Sequence, residues 1–125
     1  MPITVHAHTC LENNNFRCEL ERLYDLSPEF SDGEDALLQL EDSLAQDTVL
    51  YTAVDEHQLI AAIWCRAQQD ERILEYVIVH PTHRGQGIAE RLVGEACRMQ
   101  EEQGISVFKP GCGAVHRCLI ALNKL

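Results

Sequence analysis

Arg84, Gly85 and Gly87, with Ala89 two residues on, stand between an apolar run, Val77-Ile78-Val79, and an amphipathic stretch that opens at Ile88. Residues of these types at this spacing suit an anion. Small side chains where a helix begins leave backbone N–H groups unobstructed, and the positive end of the helix faces the loop. His80, His83 and Arg84 form the one local basic concentration in the chain, which fits a single compact anion better than a polymer. A tight strand-to-helix turn without a ligand would use the same glycines, since glycine permits such turns cheaply.

His80-x-x-His83 and His6-x-His8 raise the question of a metal, because imidazoles are common ligands. No cysteine or carboxylate completes a recognisable spacing around them, so no metal site is expected. The six cysteines, Cys10, Cys18, Cys65, Cys97, Cys112 and Cys118, lie far apart and mostly within apolar patterns. They read as reduced thiols rather than disulfides, and none forms a Cys-x-x-Cys motif.

Positioning such a loop takes a strand before it and a helix after it, and the pattern supplies both. Ile3 to His8 alternates as a half-buried strand. Asn13 to Leu26 carries Phe16, Leu20, Leu23 and Tyr24 at helical spacing and closes at Pro28; Gly33 to Gln46 gives a second helix with Ala36, Leu37, Leu40 and Leu44 on one stripe. Val49 to Val54 and Leu59 to Ala67 form a hairpin about Asp55-Glu56-His57, and Ile73 to Val79 follows as a third strongly apolar strand. The helix from Ile88 buries Leu92, Ala96 and Met99 and stops before Gly104. Ile105 to Phe108 is another strand, Pro110-Gly111-Cys112-Gly113 interrupts the backbone, and Val115 to Leu125 resumes a helical pattern. The order is βααβββαβα, an α/β fold with a mixed sheet.

The 125 residues read as a single domain, 1–125, of ordinary globular composition. A net charge of −10, from 20 acidic and 10 basic residues, argues against nucleic acid as a partner, since that affinity rests on clustered Lys and Arg. The acidic surface would suit a cationic amine, although it serves solubility equally well. The N-terminal Met1-Pro2-Ile3-Thr4-Val5-His6 lacks the features of a signal peptide, and no apolar run is long enough to span a membrane. A cytoplasmic location without membrane association is expected.

Arg84-Gly85-Gln86-Gly87-Ile88-Ala89, led in by Val79-x-Pro81-x-x-Arg84-Gly85, resembles the Gln/Arg-x-x-Gly-x-Gly/Ala motif of the GCN5-related N-acetyltransferase (GNAT) family. The element order fits that family along the whole chain, while motif-level likeness is confined to Ile73 through Leu92. The resemblance implies an acyl-CoA-binding domain. Backbone N–H groups from Gly85, Gln86, Gly87, Ile88 and Ala89 would hold the pyrophosphate of acetyl-CoA or CoA, with Arg84 starting the loop. Val77, Ile78 and Val79 would pair with pantetheine where the strand splays from Ile105–Phe108. The backbone N–H of Val77 or Ile78 would be the oxyanion donor.

The same resemblance implies direct transfer of acetyl to a primary amine, small or on a protein, with Glu75 as the candidate base. Glu75 has an alternative use as an ion-pair partner of Arg72 or Arg66. His116, near the expected acyl end, is a second candidate acid or base, or a surface residue at a helix start. The family commonly carries a tyrosine acid in a Leu-Tyr-x-Lys-Leu context; here Ala121-Leu122-Asn123-Lys124-Leu125 aligns with it, and Leu122 takes its place. Cys118 or Cys112 could protonate a leaving thiolate, against the commoner use of such cysteines as core. The pattern stops before the family's last two strands, so half of the acceptor pocket is expected to be missing and the open sheet edge could be covered by a second copy in a homodimer.

Leu26-Ser27-Pro28-Glu29-Phe30-Ser31, Leu50-Tyr51-Thr52-Ala53 and Leu59-Ile60-Ala61-Ala62 are similar to segments of a short GNAT subfamily, the acetyl-CoA-sensing maturation factors of aspartate α-decarboxylase. That likeness implies a different use of the same ligand. The CoA-bound domain would be a catalytically silent regulator of a partner protein such as the decarboxylase proenzyme.

Overall fold

Among the described residues, alternating and continuous apolar runs give five strands, and amphipathic runs give four α-helices, in the order expected: β1 (Ile3–His8), α1 (Asn14–Tyr24), α2 (Gly33–Leu44), β2 (Val49–Asp55), β3 (Gln58–Gln68), β4 (Glu71–Val79), α3 (Ile88–Glu101), β5 (Val107–Pro110) and α4 (Gly113–Ala121). The computed structural model describes residues 3–125; Met1 and Pro2, on which the readings of the domain and the N-terminus begin, lie outside the described residues. The strands form one sheet in sequence order, antiparallel from β1 to β4, with β5 parallel to β4. This is the α/β fold with a mixed sheet that the pattern of periods implies.

Helices cover both faces. On one, Leu20, Leu23 and Tyr24 of α1 and Leu37 and Leu40 of α2 pack on Leu50, Trp64 and Ile78. On the other, Leu92, Val93 and Ala96 of α3 and Val115 and Leu119 of α4 pack on Tyr51, Ile60, Ile63, Leu74 and Phe108. Leu20, Leu40, Leu92 and Leu119 are fully buried, each contributing about 1.5–3 kcal/mol of transfer free energy. Gln100, buried at 1% exposure, is satisfied by donating to the Tyr51 hydroxyl at 2.8 Å and accepting from Arg72 Nε at 3.0 Å.

Several boundaries differ from the sequence pattern by one to four residues, and at β5, α4 and the β2–β3 turn the local reason is plain. β5 starts at Val107 rather than Ile105, because the Ile105 N–H is drawn to Gln100 O at 3.1 Å and so belongs to the end of α3. α4 starts at Gly113, two residues before its apolar pattern, and ends at Ala121. There Asn123 enters the left-handed region (φ 58) and the Lys124 N–H turns back to Leu119 O at 2.9 Å, a C-terminal motif that asparagine tolerates. The β2–β3 turn is shorter than Asp55-Glu56-His57: Asp55 still pairs with Gln58, and Glu56 and His57, both at positive φ, make a two-residue connection.

One feature of β4 has no counterpart in its apolar pattern. Between the pairs Ala62–Ile78 and Trp64–Glu75, β3 advances two residues and β4 three. The extra residue is a bulge at Tyr76, whose φ of 55 is a strained value for an aromatic residue. The bulge carries Tyr76 to the α1/α2 face beside Trp64 and Ile78 and leaves Val77 and Val79 on the α3/α4 face. The Tyr24 hydroxyl, wholly buried, donates to the Tyr76 carbonyl at 2.7 Å and braces it.

Candidate functional site

β4 and β5 pair only where Glu71 to Leu74 lie opposite Val107 to Pro110. Proline has no N–H with which to continue a ladder, and the Gly111 N–H closes the pairing by donating to Leu74 O at 2.8 Å. Beyond Leu74 the two strands separate, and β4 keeps β3 as its one strand partner. Antiparallel alternation decides which groups face the gap. The His80 N–H reaches Ile60 O at 2.7 Å, so Ile78, two residues earlier and opposite Ala62, also points to β3. Val77 and Val79 therefore turn their N–H and C=O groups to the open edge. Of the two amides expected as oxyanion donors, Val77 is the one free to act.

The gap widens into a cleft of about 680 Å³, within the range of ligand pockets. Val77, Ile78 and Val79 form its floor, and Arg84, Gly85, Gly87, Ile88 and Ala89 form one end. Pro28 and Glu29 from the α1–α2 loop, and Ala114, Arg117 and Cys118 from α4, form the remaining walls. Gln86, expected in the anion loop, is exposed and does not line the cleft.

Gly85 and Gly87 have φ of 80 and 74, and a Cβ on either would meet nothing within 4 Å. Backbone conformation, not crowding, requires glycine there, and the space above both is open. Gly87 is also the N-cap of α3 and brings no side-chain cap, so the first-turn amides of a 14-residue helix face the cleft without a side-chain acceptor. The histidines hold this loop in place. His80 Nδ1 accepts from the Thr82 N–H at 3.2 Å, and His83 Nε2 lies 3.2 Å from Asp55 Oδ2, tethering the loop to the end of β2. Arg84 folds back so that Nε donates to Val79 O at 3.1 Å. Among the described residues, no group of three or more His, Cys, Asp or Glu could hold a metal ion.

The candidate acid–base residues fall in different places. Glu75, with its side chain 13% exposed, is bound by Arg66 through three N···O contacts of 3.1 to 3.3 Å and does not line the cleft. Its Cβ lies only 2.5 Å from where a Cβ on Gly111 would be, so the turn after β5 sits directly on it. His116 is exposed on α4 and does not line the cleft either. Cys118 does, and burial pushes its thiol above the usual range, so it stays protonated at neutral pH. Leu122 lies beyond α4, with its methyl groups 3.7 Å from a Cβ position on Gly94 of α3 and away from the cleft.

Sequence patterns passed over Glu29, the carboxylate that does line the cleft beside β4. Its proton affinity is raised above the ordinary carboxylate level, first by partial burial and then by the charge of Glu75. A polar residue in an interhelical loop has no period to betray it; Pro28 before it and buried Phe30 after it are the only signals.

A sequence profile described as the acetyltransferase (GNAT) family matches residues 14–114, most of the chain. The chain belongs to the GNAT acetyltransferase family. Solved structures agree at the level of fold. The ribosomal-protein-alanine N-acetyltransferase of Brucella melitensis biovar Abortus 2308 superposes with a TM-score of 0.70 at 16% identity, over 90% of this chain and 81% of that one. AAC(6')-Iy, solved in complex with a bisubstrate analog, CoA-S-monomethyl-acetylneamine, gives 0.73 at 17% identity over 98% and 90%. An aminoglycoside 6'-N-acetyltransferase complexed with coenzyme A gives 0.68 at 20% identity over 83% of this chain and 57% of that one. No curated protein matches the chain. Within this GNAT fold the loop of the family motif, the open β4 edge and the uncapped start of α3 converge on one cleft. No helix among the described residues is long and apolar enough to cross a membrane.

Proposed function

We propose that the protein binds acetyl-CoA along the open edge of β4 and transfers the acetyl group directly to a primary amine. The observation that carries this reading is the continuity of the Val77–Val79 edge with the uncapped start of α3 in a single cleft. The amides of Gly85 to Ala89 suit the pyrophosphate, drawn by the helix dipole and by Arg84 and His83. Val77 and Val79 offer backbone groups to the amide-bearing pantetheine arm as a neighbouring strand would. The Val77 N–H, turned to the edge just past the bulge, is the donor for the thioester oxygen as charge builds on it.

Cys118 is the thiol nearest this chemistry. Held protonated on the α4 wall, it can donate to the departing sulfur where the family's tyrosine is replaced by Leu122. Glu75 contributes its charge from outside the cleft, and His116 would reach the reaction only at the rim. The acceptor is a small amine or a protein amine.

Turnover tests the reading: with acetyl-CoA and a panel of alkyl amines, polyamines and peptide N-termini, the protein should release thiol and yield acetylated amine. Saturable acetyl-CoA binding without thiol release from any acceptor would overturn transfer. It would favour instead the silent, partner-regulating use suggested by the likeness to the decarboxylase maturation factors.

A further inference from the structure

Resting on that transfer reading, we propose that Glu29, not Glu75, takes the proton of the incoming ammonium group and so selects a cationic primary amine as acceptor. Both carboxylates are near the β4 bulge, but they are differently committed. Glu75 is engaged by Arg66 through both oxygens and lies outside the cleft lining. Glu29 lines the same cleft as Cys118, and no ion pair or side-chain hydrogen bond ties its carboxylate to another described residue.

The loop that presents Glu29 is fixed at both sides of it. Its own N–H donates to Ser27 Oγ at 3.2 Å, and Ser27 is buried. Phe30, 8% exposed, lies with its ring centroid 4.8 Å from Tyr76, 5.7 Å from Trp64 and 5.7 Å from Tyr24. Glu29 itself is exposed, and these anchors fix the loop backbone on either side of it so that its side chain lies at the cleft lining. Glu90, the other cleft carboxylate, belongs to the first turn of α3 and so to the anion-binding end.

An alkyl amine is an ammonium ion at neutral pH and must lose a proton before it attacks. One ammonium proton passes to the Glu29 carboxylate. The freed lone pair forms the C–N bond to the thioester carbon while the C–S bond breaks; Cys118 gives its thiol proton to the departing sulfur and is restored by the second N–H proton of the adduct. Glu29 then returns its proton to water, so the products are the amide, the CoA thiol and one proton. The groups around Glu29 are Glu75 and Tyr76 on β4, Arg66 on β3 beside Glu75, Tyr24 on α1, and Arg117 and Cys118 on α4. Partial burial and the Glu75 charge raise the proton affinity of Glu29 toward that of a useful base.

The test compares ethylamine, cationic at neutral pH, with trifluoroethylamine, which is already neutral there. Glu29→Gln should lower kcat/KM for ethylamine by about 100-fold or more, the scale of a lost general base, and move the ascending limb of its pH profile up toward the ionisation of the amine itself. Trifluoroethylamine should be affected by no more than about threefold, because it has no proton to give up before attack. Glu29→Asp should retain the limb, and calorimetric affinity of the Gln variant for acetyl-CoA should stay within about threefold of wild type. Equal losses for both amines, or no loss for either, in a protein whose wild type turns over would overturn the role of Glu29 alone. A wild type that acetylates neither amine would overturn the transfer reading and this role with it.

Discussion

Arg66 grips Glu75 through two nitrogens, with Nε 3.1 and 3.3 Å from the two carboxylate oxygens and Nη2 3.3 Å from Oε2. The pair joins β3 to β4 just before the Tyr76 bulge, and it sets the charge that Glu29 feels across the cleft mouth. Arg66 is itself raised above its usual range, chiefly by this hydrogen bonding, so it is charged at every accessible pH.

Arg66→Met should therefore move the pH profile of acetyl transfer. Without the guanidinium, the negative charge of Glu75 is uncompensated beside Glu29, which favours the protonated form of Glu29. The ascending limb of kcat/KM should shift to higher pH, whereas a purely structural role for Arg66 would lower the rate and leave the limb in place. A pH-rate profile with ethylamine reads the shift.

Tyr24→Phe tests the brace behind the bulge. The substitution removes the hydroxyl that donates to the Tyr76 carbonyl at 2.7 Å in a buried setting and leaves that carbonyl short of a donor. A loss of about 1–2 kcal/mol in urea unfolding is expected. Because the bulge turns the Val77 N–H to the open edge, kcat should fall more than acetyl-CoA affinity does.

The cysteines should separate by alkylation. Burial pushes the thiols of Cys65 and Cys97 up to about 12, so neither should react with iodoacetamide in the folded protein. Cys10 and Cys18 are exposed and should label first. Cys118 should label slowly and be protected by CoA, a pattern read by peptide mass mapping; protection of Cys10 instead would place the ligand elsewhere. Cys118→Ala should lower kcat by about tenfold or more if the thiol donates to the leaving sulfur.

The elements and the conformation of the glycine loop were legible in the sequence because each is written in a local rule. Gly85 and Gly87 stand where positive φ is required, Val77 to Val79 is a continuous apolar run, and Pro110 marks where pairing with β5 ends. The bulge was not legible: one extra residue leaves the run from Ile73 to Val79 looking uninterrupted, yet it decides which amides face the cleft. Sequence left Glu75 with two possible arginine partners, and Arg66 rather than Arg72 takes it because Arg72 is spent on Gln100 and on the Gln69 and Glu71 carbonyls. Glu29 was invisible for another reason. Nothing periodic governs an interhelical loop, and its position depends on Phe30 docking among aromatics from three other elements.

The account rests on acetyl-CoA lying across the start of α3, and titration calorimetry of acetyl-CoA into wild type, Gly87→Asn and Gly87→Glu tests that most directly. Asparagine tolerates the left-handed φ of 74 at this position, so Gly87→Asn should bind with an affinity lowered by about tenfold or less. Gly87→Glu places a carboxylate on the amides meant for pyrophosphate and should abolish measurable binding while both variants stay folded by circular dichroism. Unchanged affinity in Gly87→Glu, or no saturable heat from the wild type, would contradict the account.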